Sequence, residues 1–265
     1  MAKFTVRDFF VGLAKIISAR PRIPPSLAQN DLLHTILERR SVRKFKDDPI
    51  PADVWSAILE AGRLAPSTVN LQTWSFALFT SDEWQQFFAK PIPFGAQRAV
   101  IILADVHRPK RVVSGFPYAP LCEYTVGVMN ASLAAMNMNL AAEALGISAV
   151  MLSETGQTGF YDAQHLAEKL ALPAGVVPIM TIVFGYAKGN PPPMPPKLSV
   201  EAVSFHGRYR ETPQTELEEW YKQMQAGFQA SNWGKLFASQ ITYYNRRIEE
   251  AEQDLHKLVY YGSSI

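Results

Sequence analysis

The chain has 265 residues, 48% of them hydrophobic, enough for a sizeable core and too many for wholesale disorder. Lysine and arginine number 26 against 24 aspartates and glutamates, a net charge of +2, so no overall basic field points to nucleic acid. A single cysteine, Cys122, excludes an intrachain disulfide and any zinc or iron–sulfur site built on several thiolates, and it suits a reducing compartment, the cytoplasm.

Phe4, Phe9, Val11, Leu13, Ile16 and Ile17 recur at near-helical spacing, interrupted by Asp8 and Lys15. The run is too broken for a secretory signal and too short to span a bilayer. It predicts an amphipathic helix packed on the body or on a partner, with a membrane-surface anchor as the alternative. Pro21, Pro24 and Pro25 end it as a linker. A second helix begins at Asn30 or Asp31, either a suitable N-cap, and turns Leu33, Ile36 and Leu37 inward before a basic block. Pro51 opens a third helix over 52–64, with Val54, Ile58, Leu59 and Ala61 inside. Residues 65–74, APSTVNLQTW, read as a loop, and 75–79 as a strand.

A short aromatic helix over 83–88 and a strong strand over 99–105 follow, then a Pro- and Gly-containing stretch over 109–120 that reads as a mobile loop. Residues 121–145 form one long helix, apolar nearly all round and therefore central or buried at a subunit interface, with Gly146 at its end. Strands over 148–152 and 178–184 flank a helix over 163–170. Five prolines between Gly189 and Pro196 predict extended chain. Two further helices, 216–230 and 241–261, make a docking or dimer-wrapping tail. The resulting division is an N-terminal helix and linker over 1–29, a core domain over 30–210 and a helical extension over 211–265.

Charge is uneven along the chain. Arg39, Arg40, Arg43, Lys44 and Lys46 put five basic residues between Glu38 and Lys46. Arg39, Ser41 and Arg43 alternate, so in extended chain they share one face, two guanidinium forks with a hydroxyl between them. That suits a phosphate; a solvated face is the bland alternative. In the loop, Ser67, Thr68, Asn70 and Gln72 carry donors and acceptors that match a planar heterocycle or merely cap a turn. SETGQTGF, 153–160, offers backbone N–H groups beside two glycines or is a plain connection. No HExxH, Walker loop, GxGxxG or GxSxG occurs.

Taken in order, ERRSVRKF and, one helix later, LEAGRLAPSTVNLQTWSF resemble the opening of the nitroreductase family of FMN-dependent, usually dimeric oxidoreductases. NLAAEALGISAV resembles the family's central helix and following strand, and ALPAGVVPIMTIVFGYAKGNPPP its last core strand. The resemblance covers about residues 30–205. It implies an α+β fold with a mixed sheet flanked by helices, a long central helix, and two FMN sites at a homodimer interface. By position it implies that Arg39 and Ser41 hold the phosphate and ribityl chain, that Arg40 contributes backbone, and that Arg43 stands at the flavin pyrimidine edge. Pro66, Ser67 and Asn70, with Gln72 adjoining, match the loop that reaches the other subunit's flavin. Thr158 and Gly159, or Glu154 to Gly156 in another register, match backbone donors at the ring edge, and Lys197 a phosphate ligand. Thr73 stands where the family pattern has proline.

The resemblance implies ping-pong hydride transfer, from NADH or NADPH through flavin N5 to a nitroaromatic, quinone or similar acceptor, with no catalytic side chain required. Two alternatives stay open: a flavin-dependent dehalogenase or other specialised reaction on the same fold, and a non-catalytic flavin-binding protein.

Overall fold

The computed structural model describes residues 4–154, 156–232 and 234–261. Its elements are α1 (Val6–Ser18), α2 (Asp31–Glu38), α3 (Ala52–Arg63), β1 (Trp74–Thr80), α4 (Ser81–Phe88), β2 (Arg98–Asp105), α5 (His107–Lys110), α6 (Pro120–Ala144), β3 (Ser148–Leu152), α7 (Ala163–Lys169), β4 (Val176–Gly185), α8 (Val200–Val203), α9 (Gln214–Ser231) and α10 (Phe237–Val259). They divide into two compact units, residues 1–28 with 192–245, and residues 29–191 with 246–265. The three-part division expected from the sequence differs from this: the N-terminal helix shares a unit with most of the tail, and the end of α10 goes with the core.

Packing explains the first unit. A capping box starts α1, with Thr5 Oγ1 accepting from Asp8 N–H at 3.2 Å and Asp8 accepting from Thr5 N–H at 2.8 Å. The helix lies so close to α9 that a Cβ on Gly12 would stand 2.7 Å from Ala226 Cβ. Ion pairs Asp8–Lys222 (3.1 Å) and Lys15–Glu219 flank the contact. Phe237 of α10 closes the unit against Tyr221 and Phe228.

In the second unit the sheet order is β1-β2-β4-β3, and all three pairings are antiparallel. The sheet is thus antiparallel where the resemblance implied a mixed one, and the parallel pairing is an isolated bridge between Ser41 and Ala149. The continuous apolar run of β2 reflects burial on both faces. Val100, Ile102 and Ala104 meet α3 and α6, while Ala99, Ile101 and Leu103 meet Trp84 of α4 and Leu166 of α7. Ile101 and Ile102, both fully buried, each contribute roughly 1.5–3 kcal/mol of hydrophobic stabilisation. β4 begins earlier than the sequence predicts because Pro178 sits at a register shift opposite Leu103, where a missing N–H is tolerated.

The central helix α6 opens on Pro120 and buries Ala131, Ala134, Ala135, Met138 and Ala142 against the sheet. It ends in a Schellman motif. Gly146, at φ 75°, donates to Glu143 O at 3.0 Å, and Ile147 donates to Ala142 O at 2.8 Å. The stretch expected as a mobile loop over 109–120 instead begins inside the short helix α5 and is anchored at Lys110.

Candidate functional site

The basic segment follows α2. Arg40 Nη1 donates to Leu37 O at 3.0 Å and Arg39 O at 2.9 Å, so its guanidinium closes the helix end. Val42 N–H donates to Ala149 O at 3.2 Å, and Lys46 N–H to Tyr186 O at 2.9 Å. Val42 and Phe45 are buried in the core on the α4/α7 side of the sheet. Arg43 is exposed, while Arg39 and Ser41 are half-buried. Arg39 Nε is buried and has no hydrogen-bond partner. Among the described residues neither Arg39 nor Arg43 forms an ion pair. Burial holds the Glu143 carboxyl of α6 above the usual range, against the opposing charges of Arg39 and Arg40.

The loop between α3 and β1 is bent through Val69, Asn70 and Gln72, at φ 41°, 56° and 49°. Left-handed backbone at a β-branched residue such as Val69 is rare and needs external support. Asn130 of α6 supplies it. Its Oδ1 accepts from Thr68 N–H at 3.1 Å and Thr68 Oγ1 at 3.3 Å, and its Nδ2 donates to Thr73 Oγ1 at 2.8 Å. Asn130 and Thr73 are 2% and 1% exposed. Ser67 Oγ accepts from Gln72 N–H at 3.1 Å, and Gln72 Nε2 donates to Asn70 O at 3.4 Å, so both side chains hold the turn. Pro66 and Asn70 are exposed. Trp74, which opens β1, is a core residue at 4% exposure.

An open cleft of about 1080 Å³ lies beside this loop, lined among others by Asn70, Gln72, Phe76, Arg63, Arg108 and Val113. No residue of the basic segment lines it. Arg108 is fixed there by Asp105, whose carboxylate stands 3.1 Å from its Nε and also accepts from Ser75 Oγ.

The glycine loop leaves the end of β3. Thr158 is fully buried and its carbonyl accepts from Thr181 Oγ1. A Cβ on Gly159 would stand 2.3 Å from Ser153 O, so only glycine fits this crossing. The Glu154 carboxylate pairs with Arg247 of α10 at 3.4 Å, which also holds Asp162 at 2.9 Å and Tyr161 O at 2.8 Å. Glu154 thus spends its side chain on the protein. Lys90 holds the far side of the loop through Gly156 O and Gln157 Oε1. Lys197 belongs to the first unit and is exposed on the extended chain before α8.

Asn130, Lys90, Arg108 and Arg247 were not singled out in the sequence. Only Asn130 left a signal, one it shares with Asn137 and Asn139 as an amide in a largely apolar helix.

The family model described as the nitroreductase family matches residues 36–92 and 85–186, more than half of the chain and all of the sheet. The chain belongs to the nitroreductase family. A Vibrio harveyi relative described as NADPH-flavin oxidoreductase is 26% identical over 205 residues, 74% of this chain and 82% of that protein. A Bacillus subtilis protein described as FMN reductase [NAD(P)H] is 25% identical over 241 residues, 82% of this chain and 92% of that one. Among solved structures, the Vibrio harveyi NADPH:FMN oxidoreductase complexed with NAD+ superposes with a TM-score of 0.68 at 23% identity, over 85% of this chain and 98% of that one. NfrA2 of B. megaterium reaches a TM-score of 0.72 at 19% identity, over 87% and 98%. These likenesses establish the nitroreductase fold: helices on a four-stranded antiparallel sheet. No helix among the described residues is long and apolar enough to cross a membrane.

Proposed function

We propose that this nitroreductase-family protein is an FMN-dependent oxidoreductase that uses NADH or NADPH and turns over by ping-pong. One observation carries the fit to the cofactor: the buried, partnerless Nε of Arg39. A guanidinium with that nitrogen left unsatisfied just past α2, on a segment tied to the core by Val42 and Phe45, suits a phosphate. The names of the Vibrio harveyi and Bacillus subtilis relatives support the same reading.

Bound FMN would supply hydride acceptance at N5 and delivery to a nitroaromatic, quinone or similar acceptor. The chain's own residues bind, orient and polarise. Arg39 and Ser41 hold the phosphate and ribityl chain, and Arg40 offers backbone. Arg43 places a fixed cation where negative charge gathers at the pyrimidine edge, which favours reduction. The glycine loop lies at the ring edge, shaped from within by buried Thr158 and Gly159 and from outside by Glu154 through Arg247.

The acting unit is a homodimer. Two observations support this. The loop with Pro66, Ser67, Asn70 and Gln72 lines a cleft that the basic segment does not, so each looks like half of a site. Leu121, Met129 and Leu133 leave an exposed apolar stripe on the central helix, which a second copy would cover. The single cysteine suits the cytoplasm.

Steady-state kinetics test the reading. Varying NADPH against a quinone at several fixed concentrations is expected to yield parallel double-reciprocal lines, and sedimentation a species of twice the chain mass. Absence of NADH and NADPH oxidation with every acceptor and added FMN would refute it.

A further inference from the structure

The second unit holds a buried ion pair that the flavin reading does not use. Lys110, the last residue of α5, places Nζ 2.7 Å from Oε1 of Glu123, in the first turn of α6. Their side chains are 22% and 4% exposed. The Tyr261 hydroxyl bridges them, accepting from Lys110 Nζ at 2.7 Å and donating to Glu123 Oε2 at 2.9 Å. Glu123 Oε1 also accepts from Ala119 N–H at 2.8 Å. The ammonium stands 5.2, 5.5 and 5.7 Å from the ring centroids of Tyr261, Tyr118 and Phe116. Tyr118 meets Tyr261 edge to face at 5.8 Å, and its hydroxyl donates to Tyr261 O at 2.8 Å.

Burying such a pair gains little net stability, because desolvation offsets the attraction. Its evident effect is positional. Burial pushes the Glu123 carboxyl up, but hydrogen bonds from Lys110, Ala119 and Tyr261 outweigh it and hold the group below its usual range. The loop between Lys110 and Tyr118 is therefore tied at both ends to one residue near the end of the chain. Pro109, Val112 and Val113 from this segment wall the cleft that Asn70 and Gln72 also line. Val112 is 83% exposed, and besides short-range turn bonds such as Val113 N–H to Pro109 O at 2.9 Å the ties at the loop's two ends restrain it.

We propose that Tyr261 is a positioning residue, a latch that sets the 111–118 loop as the wall of this cleft and so limits the size of electron acceptor admitted. The acceptor clause rests on the flavin reading; the latch itself does not.

Tyr261→Phe in the full chain removes both hydroxyl bonds and keeps the ring, and Tyr261→Ala removes both. Hydrogen–deuterium exchange over 111–118 is expected to rise about tenfold in Tyr261→Phe and further in Tyr261→Ala, with β2 and the middle of α6 unchanged. Tryptic cleavage after Arg111 is expected to accelerate in parallel. With turnover measured, KM for a three-ring quinone should fall several-fold relative to a one-ring quinone while kcat for both holds. Exchange and cleavage within twofold of the parent in both variants would overturn the latch. Faster exchange with an unchanged KM ratio would overturn its control of acceptor size. A protein that turns over no acceptor would instead overturn the flavin reading, leaving exchange to decide the latch.

Discussion

Thr73→Pro installs the residue that the family motif carries at this position, and it is expected to destabilise this chain. Thr73 Oγ1 accepts from Asn130 Nδ2 at 2.8 Å, with both residues buried. Proline leaves that amide donor unsatisfied, a cost of about 1–3 kcal/mol. Gln72, just before, sits at φ 49°, and a following proline drives its neighbour toward extended backbone. Forcing that change adds roughly 1–2 kcal/mol. The total, about 2–5 kcal/mol, lowers a urea midpoint by roughly 1 M at a slope near 3 kcal/mol/M. Thr73→Val, which loses only the hydroxyl, should fall by about 1–3 kcal/mol. Urea unfolding followed by fluorescence reads both. A Thr73→Pro midpoint at or above the parent's would refute the clamp from Asn130.

Arg39→Met is expected to weaken FMN binding about ten- to hundredfold, the worth of a charge-assisted hydrogen bond, in a fluorescence-quenching titration; an unchanged Kd would remove Arg39 from the site. Gly159→Ala drives a Cβ to 2.3 Å from the Ser153 carbonyl oxygen, a rigid backbone group, and should cost roughly 3 kcal/mol or more. Gly62→Ala meets Met138 Cε at the same 2.3 Å, but a thioether side chain can move, so its thermal midpoint should drop less; the reverse order would contradict the packing. Asp8 is held down to about 2 from 3.8, first by hydrogen bonds from Thr5 and then by Lys222. Its capping contribution is therefore complete above about pH 4 and lost as pH falls toward 2. An NMR titration of the carboxyl carbon should show a midpoint near 2, and a midpoint of 3.8 would remove the capping box.

Local patterns made most of the fold legible. The β3 bounds, Ser148–Leu152, agree with the strand read from AVML between Gly146 and the glycine loop. Pro120 and Gly146 bracket α6 with the punctuation expected of a helix. Pro178 hid the start of β4, because a proline is tolerated only where the ladder is already irregular. At the candidate site, the alternation of Arg39, Ser41 and Arg43 was readable, since extended chain has period two. The contacts that shape the site were not. Thr73 and Asn130 are 57 positions apart, Glu154 and Arg247 are 93 apart, and Glu123 and Tyr261 are 138 apart. Such pairings depend on how the helices dock, which no local spacing encodes. Glu154 shows the consequence. In sequence it belongs to a ligand loop, and in the fold Arg247 has taken its carboxylate.

The most direct test of the central claim is the visible spectrum of the purified protein, loaded with FMN and titrated anaerobically with NADPH and NADH. The expected result is a protein-bound flavin spectrum that bleaches with one of the two donors and recovers when a quinone is added. Protein that takes up no FMN, or bound FMN that neither donor bleaches, would contradict it.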